Sequence, residues 1–217
     1  NFISIKLCTS SLDCVIIIVY ESEDVSMNLF ILDKDPVKAA QLQCDKHVVK
    51  MIVESGQMLS TAHRMLDGVE TRRPSKSGKT KSKYWVHPNE QMESELYRAV
   101  HMYHPCTVWT MESNNNYNWH YVHFIALCDE YKYRYSKEHA TDTKLRDLLK
   151  APPKNIHIGY LTQQPLAMKS NPECMFEDVV KSYRAFYQTK QDRFKMIWTG
   201  RDTPEWFQRK SNLSLSS

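Results

Sequence analysis

The stretch from Cys44 to Met65 constrains the fold of this chain more than any other part of its sequence. Small and apolar residues recur there in alternating steps of four and three, which is the spacing of one buried stripe on an α-helix. The stripe consists of Cys44, Val48, Met51, Ser55, Met58, Ala62 and Met65. A second stripe carries His47, Lys50, Glu54, Gln57 and Thr61 at the same spacing. The sequence therefore predicts a core helix ending near Leu66, with polar groups along one flank.

Two interpretations of the polar flank are open from the sequence alone. A rigid active-site helix would carry a cation, a carboxylate and an imidazole in this way. An ordinary amphipathic helix would also do so, because Lys50 and Glu54 are spaced for an i,i+4 ion pair worth only about 0.2–0.5 kcal/mol.

The composition favours helices packed through large side chains. The chain has only 5 glycines but 10 methionines, 12 tyrosines and 5 tryptophans, which disfavours a glycine-rich dinucleotide-binding fold. Its 217 residues are enough for one domain with a substantial core. We therefore expect a mainly α protein: a compact, single-domain helical bundle, monomeric, with a short apolar N-terminal arm at residues 27–32.

The chain is expected to divide into a leader, a domain and a tail. Residues 1–26 contain an apolar run, residues 14–20, that is too short to span a bilayer and lacks a basic lead. We expect this leader to be upstream sequence or at most an added strand, with Met27 as the functional start. Without it the net charge rises from +4 to +7, because it holds one lysine and four acidic residues. The helical domain is expected to cover residues 27–207, and residues 208–217 to be a disordered tail.

Further helices are indicated by caps and apolar spacing. Asp35 followed by proline predicts a short helix through Gln43. Longer helices are predicted over residues 89–103, 104–113, 116–137 and 173–197, with a crossing loop at 151–172. The helix over 116–137 has an aromatic stripe that should pack on the Cys44–Met65 helix, leaving His120, His123, Glu130 and Arg134 on its other faces.

A basic loop is expected at residues 70–86. It contains six cations and, from Arg72 to Lys83, neither an anion nor an apolar residue, so it should be a mobile surface segment. Such a loop could be a solvated insertion or an arm that contacts DNA phosphates. Its cations are Arg72, Arg73, Lys76, Lys79, Lys81 and Lys83.

Metal binding, membrane insertion and disulfide formation are not expected. His101, His104 and Cys106 form an H-x-x-H-x-C cluster, but no fourth ligand is suggested by spacing. No other cofactor is predicted. Cys44 and Cys128 fall on apolar stripes, which favours buried free thiols and a cytoplasmic protein. Aromatic residues near the C-terminus, including those of the word PEWF at 204–207, could close the core or stack on bases.

Several words of the sequence resemble those of known families. The words CDKHVVKM, HPCTVW, NYNW, ALCDEY and PEWF are similar to those of a family of small tailed-phage proteins described as uncharacterised, which implies the cytoplasm of a bacterial host. More distantly, the helical layout resembles the pyrimidine-dimer DNA glycosylase/AP lyase family of the endonuclease V type. That family shows D-x-H followed by two apolar residues, with a glutamate nine residues after the aspartate. Asp45, His47, Val48, Val49 and Glu54 keep this order and spacing.

The second resemblance implies a DNA glycosylase/AP lyase that acts on damaged or modified bases, in double-stranded DNA, through a terminal amine. The amine would belong to Met27 or Asn28, Glu54 would stabilise the cationic sugar, and His47 would orient a phosphate or the glutamate. The family's flanking arginines would fall at Val53 and Gln57, so DNA contacts would come from Lys46, Lys50 and the basic loop. Seven residues of helix separate His47 from Glu54 by roughly 10 Å, enough to bracket a sugar-phosphate unit. A non-catalytic phage DNA-binding or host-takeover protein is the alternative.

Overall fold

The computed structural model describes residues 29–74 and 77–210, which form a predominantly helical structure with one small sheet. The described α-helices and strands are α1 (Pro36–Gln41), α2 (Asp45–Asp67), β1 (Val69–Pro74), β2 (Lys81–Val86), α3 (Glu90–Glu95), α4 (Pro105–Glu112), α5 (Asn114–Tyr135), α6 (Ala140–Leu145) and α7 (Val179–Gln188). Short 3₁₀ turns cover Pro172–Cys174 and Thr189–Asp192. None of the described helices is both long and apolar enough to cross a membrane.

Helix α2 is the 23-residue helix that its apolar stripe predicts. The stripe is buried from Cys44 to Ala62, and Met65 is half-buried near the end. As expected, α2 packs against the aromatic face of α5, and it also packs against α4 and α6. Gly56 permits the approach of α6, because a β-carbon at this position would lie 2.8 Å from Cγ2 of Thr141.

The apolar arm and α1 follow the local sequence signals. Residues 29–32 are buried, and the Phe30 ring stacks on His47 with 4.6 Å between centroids. The Asp35 carboxylate accepts hydrogen bonds from the backbone N–H groups of Val37 and Lys38 at 2.8 and 3.1 Å, which caps α1. Local capping chemistry therefore fixes how the arm enters the first helix.

Helix α5 buries the polar side chains that were expected on the faces away from its aromatic stripe. His120 bonds Thr110 at 2.8 Å, and the guanidinium of Arg134 donates to Glu130 at 2.8 Å and to Asp45 at 2.9 Å. His123 is also fully buried. Each of these groups has a polar partner inside the fold, which removes most of the cost of burial.

Two predicted helices are shorter than expected. Residues 89–103 are helical only over α3, since the carbonyls of Leu96 and Tyr97 accept hydrogen bonds from the buried Arg64 side chain. The helix predicted over 173–197 is limited to α7, which begins after the Asp178 cap.

The basic segment is a β-hairpin and not the loop that its charge predicts. Strand β1 pairs with β2 in antiparallel register from Val69 opposite Val86 to Pro74 opposite Lys81. The strands are held at their base, where Trp85 is buried, while their outer residues are exposed.

The C-terminal aromatics close the core. Trp198 and Phe207 are 6% and 7% exposed, and their rings meet edge to face with 4.8 Å between centroids. Residues 208–210 lie against the preceding 3₁₀ turn, where Lys210 contacts Gln191 and Asp192. The rest of the expected tail, the leader 1–26, Met27, Asn28 and Lys76 lie outside the described residues.

Candidate active site

Glu54 lies in the middle of α2 and is the carboxylate that the sequence predicts as catalytic. Its side chain is 13% exposed, and its Oε1 lies 3.2 Å from Nζ of Lys50, which is 53% exposed. The i,i+4 ion pair expected from the sequence is therefore present. A carboxylate and a primary amine meet here at the boundary between core and solvent.

The beginning of the described chain contacts the thiol of Cys106, whose pKa also responds to the charge of Glu54. Cys106, in the first turn of α4, is fully buried, and burial raises the pKa of its thiol to about 11. A backbone hydrogen bond from Leu29 and the hydroxyl of Tyr183 oppose this rise, whereas the negative charge of Glu54 adds to it. The neutral thiol thus joins the arm, α4 and α7, and the charge of Glu54 acts on it. Met27 and Asn28, which would supply the predicted amine, directly precede Leu29 in the chain but lie outside the described residues.

His47 is a packed core residue. Its ring is 6% exposed and lies between Phe30, Tyr187 and Phe194, with centroid distances of 4.6, 4.9 and 5.4 Å. Burial, reinforced by nearby lysines, lowers the pKa of His47 to about 3. The ring is therefore neutral and enclosed at physiological pH, and this argues against the phosphate contact expected for it.

The predicted DNA-contacting cations fall into two groups at opposite ends of α2. Lys46 lies in the first turn, with its Nζ 4.6 Å from the centre of the Phe194 ring, and Lys50 follows one turn later. The hairpin begins beyond the last turn. Since 21 residues separate Lys46 from Asp67, the two groups are about 30 Å apart along the helix axis.

Within the hairpin, some cations are paired and others face solvent. Arg73 stacks on Tyr84 with its guanidinium carbon 3.6 Å from the ring centre, and Lys83 pairs with Glu70 at 3.1 Å. Arg72, Lys79 and Lys81 are exposed, and no carboxylate described by the structure lies within ion-pair distance of them. Among the hairpin cations that the structure describes, these three therefore remain available to a phosphate backbone.

The H-x-x-H-x-C cluster does not converge. His104 uses Nδ1 to accept the backbone N–H of Cys106 at 3.2 Å, while the Cys106 thiol points into the core and His101 is exposed. Over the described ranges, the one group of potential metal ligands comprises His63, Asp67 and His87. The sequence spacing relates only two of these three ligands, because His63 and Asp67 are one helical turn apart whereas His87 comes from another element.

Comparison of this chain with protein-family models, with curated proteins and with solved structures found no match.

Proposed function

We propose that this chain is a DNA glycosylase/AP lyase that acts on duplex DNA containing a damaged or modified base, with Glu54 as the essential carboxylate. The observation that supports the proposal is the junction at Cys106, where the backbone of Leu29 hydrogen-bonds the thiol and the negative charge of Glu54 acts on the same group. The terminal amine of Met27 or Asn28 would be attached to the chain one or two residues before this junction. We further propose that the helices form one compact bundle and that the protein acts as a monomer in the cytoplasm of a phage-infected bacterium.

The reaction would proceed through covalent catalysis by the terminal amine. The nitrogen lone pair attacks the sugar C1′ while the bond from C1′ to the base breaks, and the base leaves with the bonding electrons and takes up a proton. Opening of the sugar ring gives a protonated Schiff base. Loss of a 2′ proton then expels the 3′ phosphate by β-elimination, and water later releases the sugar and restores the amine.

Glu54 has two tasks in this sequence. Its carboxylate stabilises the positive charge that develops on the sugar, and it can accept the proton that leaves the attacking amine. The amine needs little tuning, because an unperturbed α-amino group has a pKa of about 7.7–8.0 and is partly neutral at physiological pH. Lys50 would remain paired with Glu54 until the substrate arrives.

Borohydride trapping on a duplex with one abasic site tests this proposal. Protein that begins at Met27 should form a covalent adduct, and Glu54→Gln should reduce the rate of adduct formation by at least about 100-fold, the usual scale of a general acid-base contribution. Glu138→Gln is the matched control, since Glu138 is exposed and pairs with Lys132 at 2.8 Å at the far end of α5. Failure to form any adduct, or equal rates in the two variants, would contradict the proposal.

Peptide mapping of the trapped adduct identifies the nucleophile. Attachment at the first residue supports the terminal amine, and acetylation of that residue should then abolish trapping. Attachment at Lys50 would instead make the lysine ε-amine the nucleophile, because its Nζ lies 3.2 Å from Glu54. That result would overturn the assignment of Met27 or Asn28 but keep the role of Glu54.

A non-catalytic DNA-binding protein is the second candidate, and the exposed hairpin cations favour it. Two-stranded β-ribbons fit the major groove of B-DNA. Lys81→Ala should lower the slope of log affinity against log salt by about 0.9 if this lysine contacts a phosphate, whereas Lys137→Ala, an exposed lysine after α5, should leave the slope unchanged. Such binding without adduct or strand scission would favour the binding module.

The length of α2 also predicts where the hairpin meets DNA in the catalytic proposal. Thirteen residues separate Glu54 from Asp67, so the hairpin base lies about 20 Å, or roughly six base pairs, from the reacting sugar. Shortening the duplex to fewer than six base pairs on one side of the abasic site should remove the effect of Lys81→Ala. Shortening it on the other side should not.

A further inference from the structure

A buried group of three potential ligands lies at the base of the hairpin. His63 and Asp67 are one turn apart near the end of α2, and His87 directly follows β2. One ligand atom from each lies within 4.8 Å of those of the other two. His63 and His87 are 3% and 6% exposed, and the Asp67 side chain is 6% exposed.

The hydrogen bonds of His63 leave one ring nitrogen with a lone pair that could bind a metal. The Tyr117 hydroxyl gives its only proton to the carbonyl of Leu149 at 2.9 Å. The contact of 2.9 Å between this hydroxyl and Nε2 of His63 must therefore have the imidazole as donor. Nδ1 then carries the lone pair, and it meets no hydrogen-bond donor among the described residues, because the Ala151 carbonyl near the ring can only accept. A ligating imidazole typically has its other nitrogen fixed in this manner.

Asp67 brings a negative charge that no lysine or arginine in residues 29–74 and 77–210 neutralises. Its two oxygens accept backbone N–H bonds from Lys154 and Asn155 at 2.8 and 2.9 Å. Across the described parts of the chain, its one potential ion-pair partner is His87, with Nε2 at 3.9 Å from Oδ2. A buried carboxylate normally pairs with a cation or coordinates a metal.

His87 completes the group but must change its tautomer to bind a metal. Its Nδ1 accepts the backbone N–H of Asn89 at 3.1 Å, so the neutral ring carries its proton on Nε2. Nε2 itself has no hydrogen-bond partner within the described ranges. Coordination through Nε2 would move the proton to Nδ1 and break one neutral hydrogen bond. This switch gives metal binding a specific spectroscopic signature.

We propose that His63 Nδ1, Asp67 Oδ2 and His87 Nε2 bind one divalent transition-metal ion of the zinc class. Two imidazoles and one carboxylate are a donor set that suits Zn²⁺, with bonds of about 2.0–2.2 Å. Tetrahedral geometry places ligand atoms about 3.3 Å apart, so the group must contract slightly around the ion. Because Asp67 and His87 flank the two ends of the hairpin, the metal ties the hairpin to α2 and to residues 154–155. The proposal does not depend on the glycosylase/lyase assignment.

Metal analysis of the full chain, purified without a polyhistidine tag and dialysed after addition of Zn²⁺, tests the site. We expect one retained zinc ion per chain and a higher melting temperature. Asp67→Asn and His87→Gln should lose the ion, while His157→Gln, which alters an exposed histidine, should retain it. Tyr117→Phe removes the hydroxyl that orients His63 and should weaken zinc binding by about 10–100-fold.

Nuclear magnetic resonance of the wild-type rings keeps the test valid if a variant fails to fold. Upon addition of Zn²⁺, the proton of His87 should move from Nε2 to Nδ1, and His63 should keep its proton on Nε2. Absence of retained zinc with unchanged ring tautomers would overturn the proposal. Loss of zinc from His157→Gln to the same degree as from Asp67→Asn would also overturn it, because binding would then be adventitious.

Discussion

Arg64 joins α2 to the hairpin and to α3, and its replacement by methionine tests how the fold is held. The side chain is 1% exposed and makes five hydrogen bonds. Its Nε donates to the Tyr97 carbonyl at 2.7 Å, Nη1 to the Trp85 carbonyl at 2.8 Å and Glu93 Oε2 at 2.6 Å, and Nη2 to the carbonyls of Glu93 at 3.0 Å and Leu96 at 2.9 Å.

Methionine would keep the apolar stem of the side chain but none of these bonds. Removing one partner of a buried ion pair costs about 3–5 kcal/mol of the free energy of unfolding. Glu93 is 24% exposed and still receives hydrogen bonds from the Tyr84 hydroxyl and the His87 N–H at 2.7 and 2.8 Å. We therefore expect the lower end, about 3 kcal/mol, which corresponds to a melting temperature roughly 6–12 °C lower in a protein of this size.

Urea unfolding followed by circular dichroism measures the loss. Arg98→Met is the matched control, because Arg98 is exposed on the segment that Arg64 binds, and its replacement should change stability by less than about 0.5 kcal/mol. Hydrogen exchange should also quicken at the hairpin in Arg64→Met. A loss below about 1 kcal/mol, the net value of one ordinary hydrogen bond, would refute the view that Arg64 is the anchor.

Three further predictions concern titration and reactivity. Burial would raise the pKa of Glu93, but hydrogen bonds led by the His87 N–H lower it from 4.5 to about 2. The stability that this carboxylate contributes above pH 4.5 should therefore be lost as the pH falls towards 2. In Glu93→Gln, the urea midpoint of unfolding should depend less on pH over that range. Burial lowers the pKa of His47 from 6.5 to about 3, so protonation favours unfolding and stability should fall between pH 6.5 and 3, a component that His47→Phe should remove from the same measurement. Because burial raises the pKa of Cys106 to about 11, its thiol should resist iodoacetamide at pH 8 in the folded protein and react in urea. Mass spectrometry of the peptide that contains Cys106 measures the labelling. Rapid labelling of the native chain would contradict the enclosed junction.

Features governed by neighbouring residues were predictable from the sequence. The cap at Asp35 and the stripe of α2 each depend on contacts within a few residues or on a repeated spacing, and both are present as expected. For the hairpin, the sequence contained a turn residue, Gly78, but the high charge of the segment favoured a loop. Gly78 adopts φ +71 at its tip, and this left-handed conformation suits the turn between two strands.

The buried polar groups could not be predicted in the same way. Arg134 lies on α5, yet its partner Asp45 is 89 positions earlier in the chain, so nothing in the local pattern marks it as buried. His63 and His87 belong to the same category, because their convergence depends on how the hairpin returns to α2. Sequence patterns identify which face of a helix is apolar, whereas the location of a polar side chain depends on partners that only the tertiary structure brings together.

The arrangement along α2 separates the proposals from one another. Glu54 lies in the middle of this helix, while His63 and Asp67 lie near its end, about 14–20 Å away by helical rise. A metal at the hairpin base is too distant to touch a sugar held at Glu54, so its loss should weaken DNA binding through the hairpin without preventing adduct formation at saturating DNA. Loss of Glu54 should do the reverse. If loss of the metal and loss of Glu54 abolished the adduct equally at saturating DNA, catalysis and DNA binding would not be located at separate parts of α2. The active site would then lie nearer the hairpin.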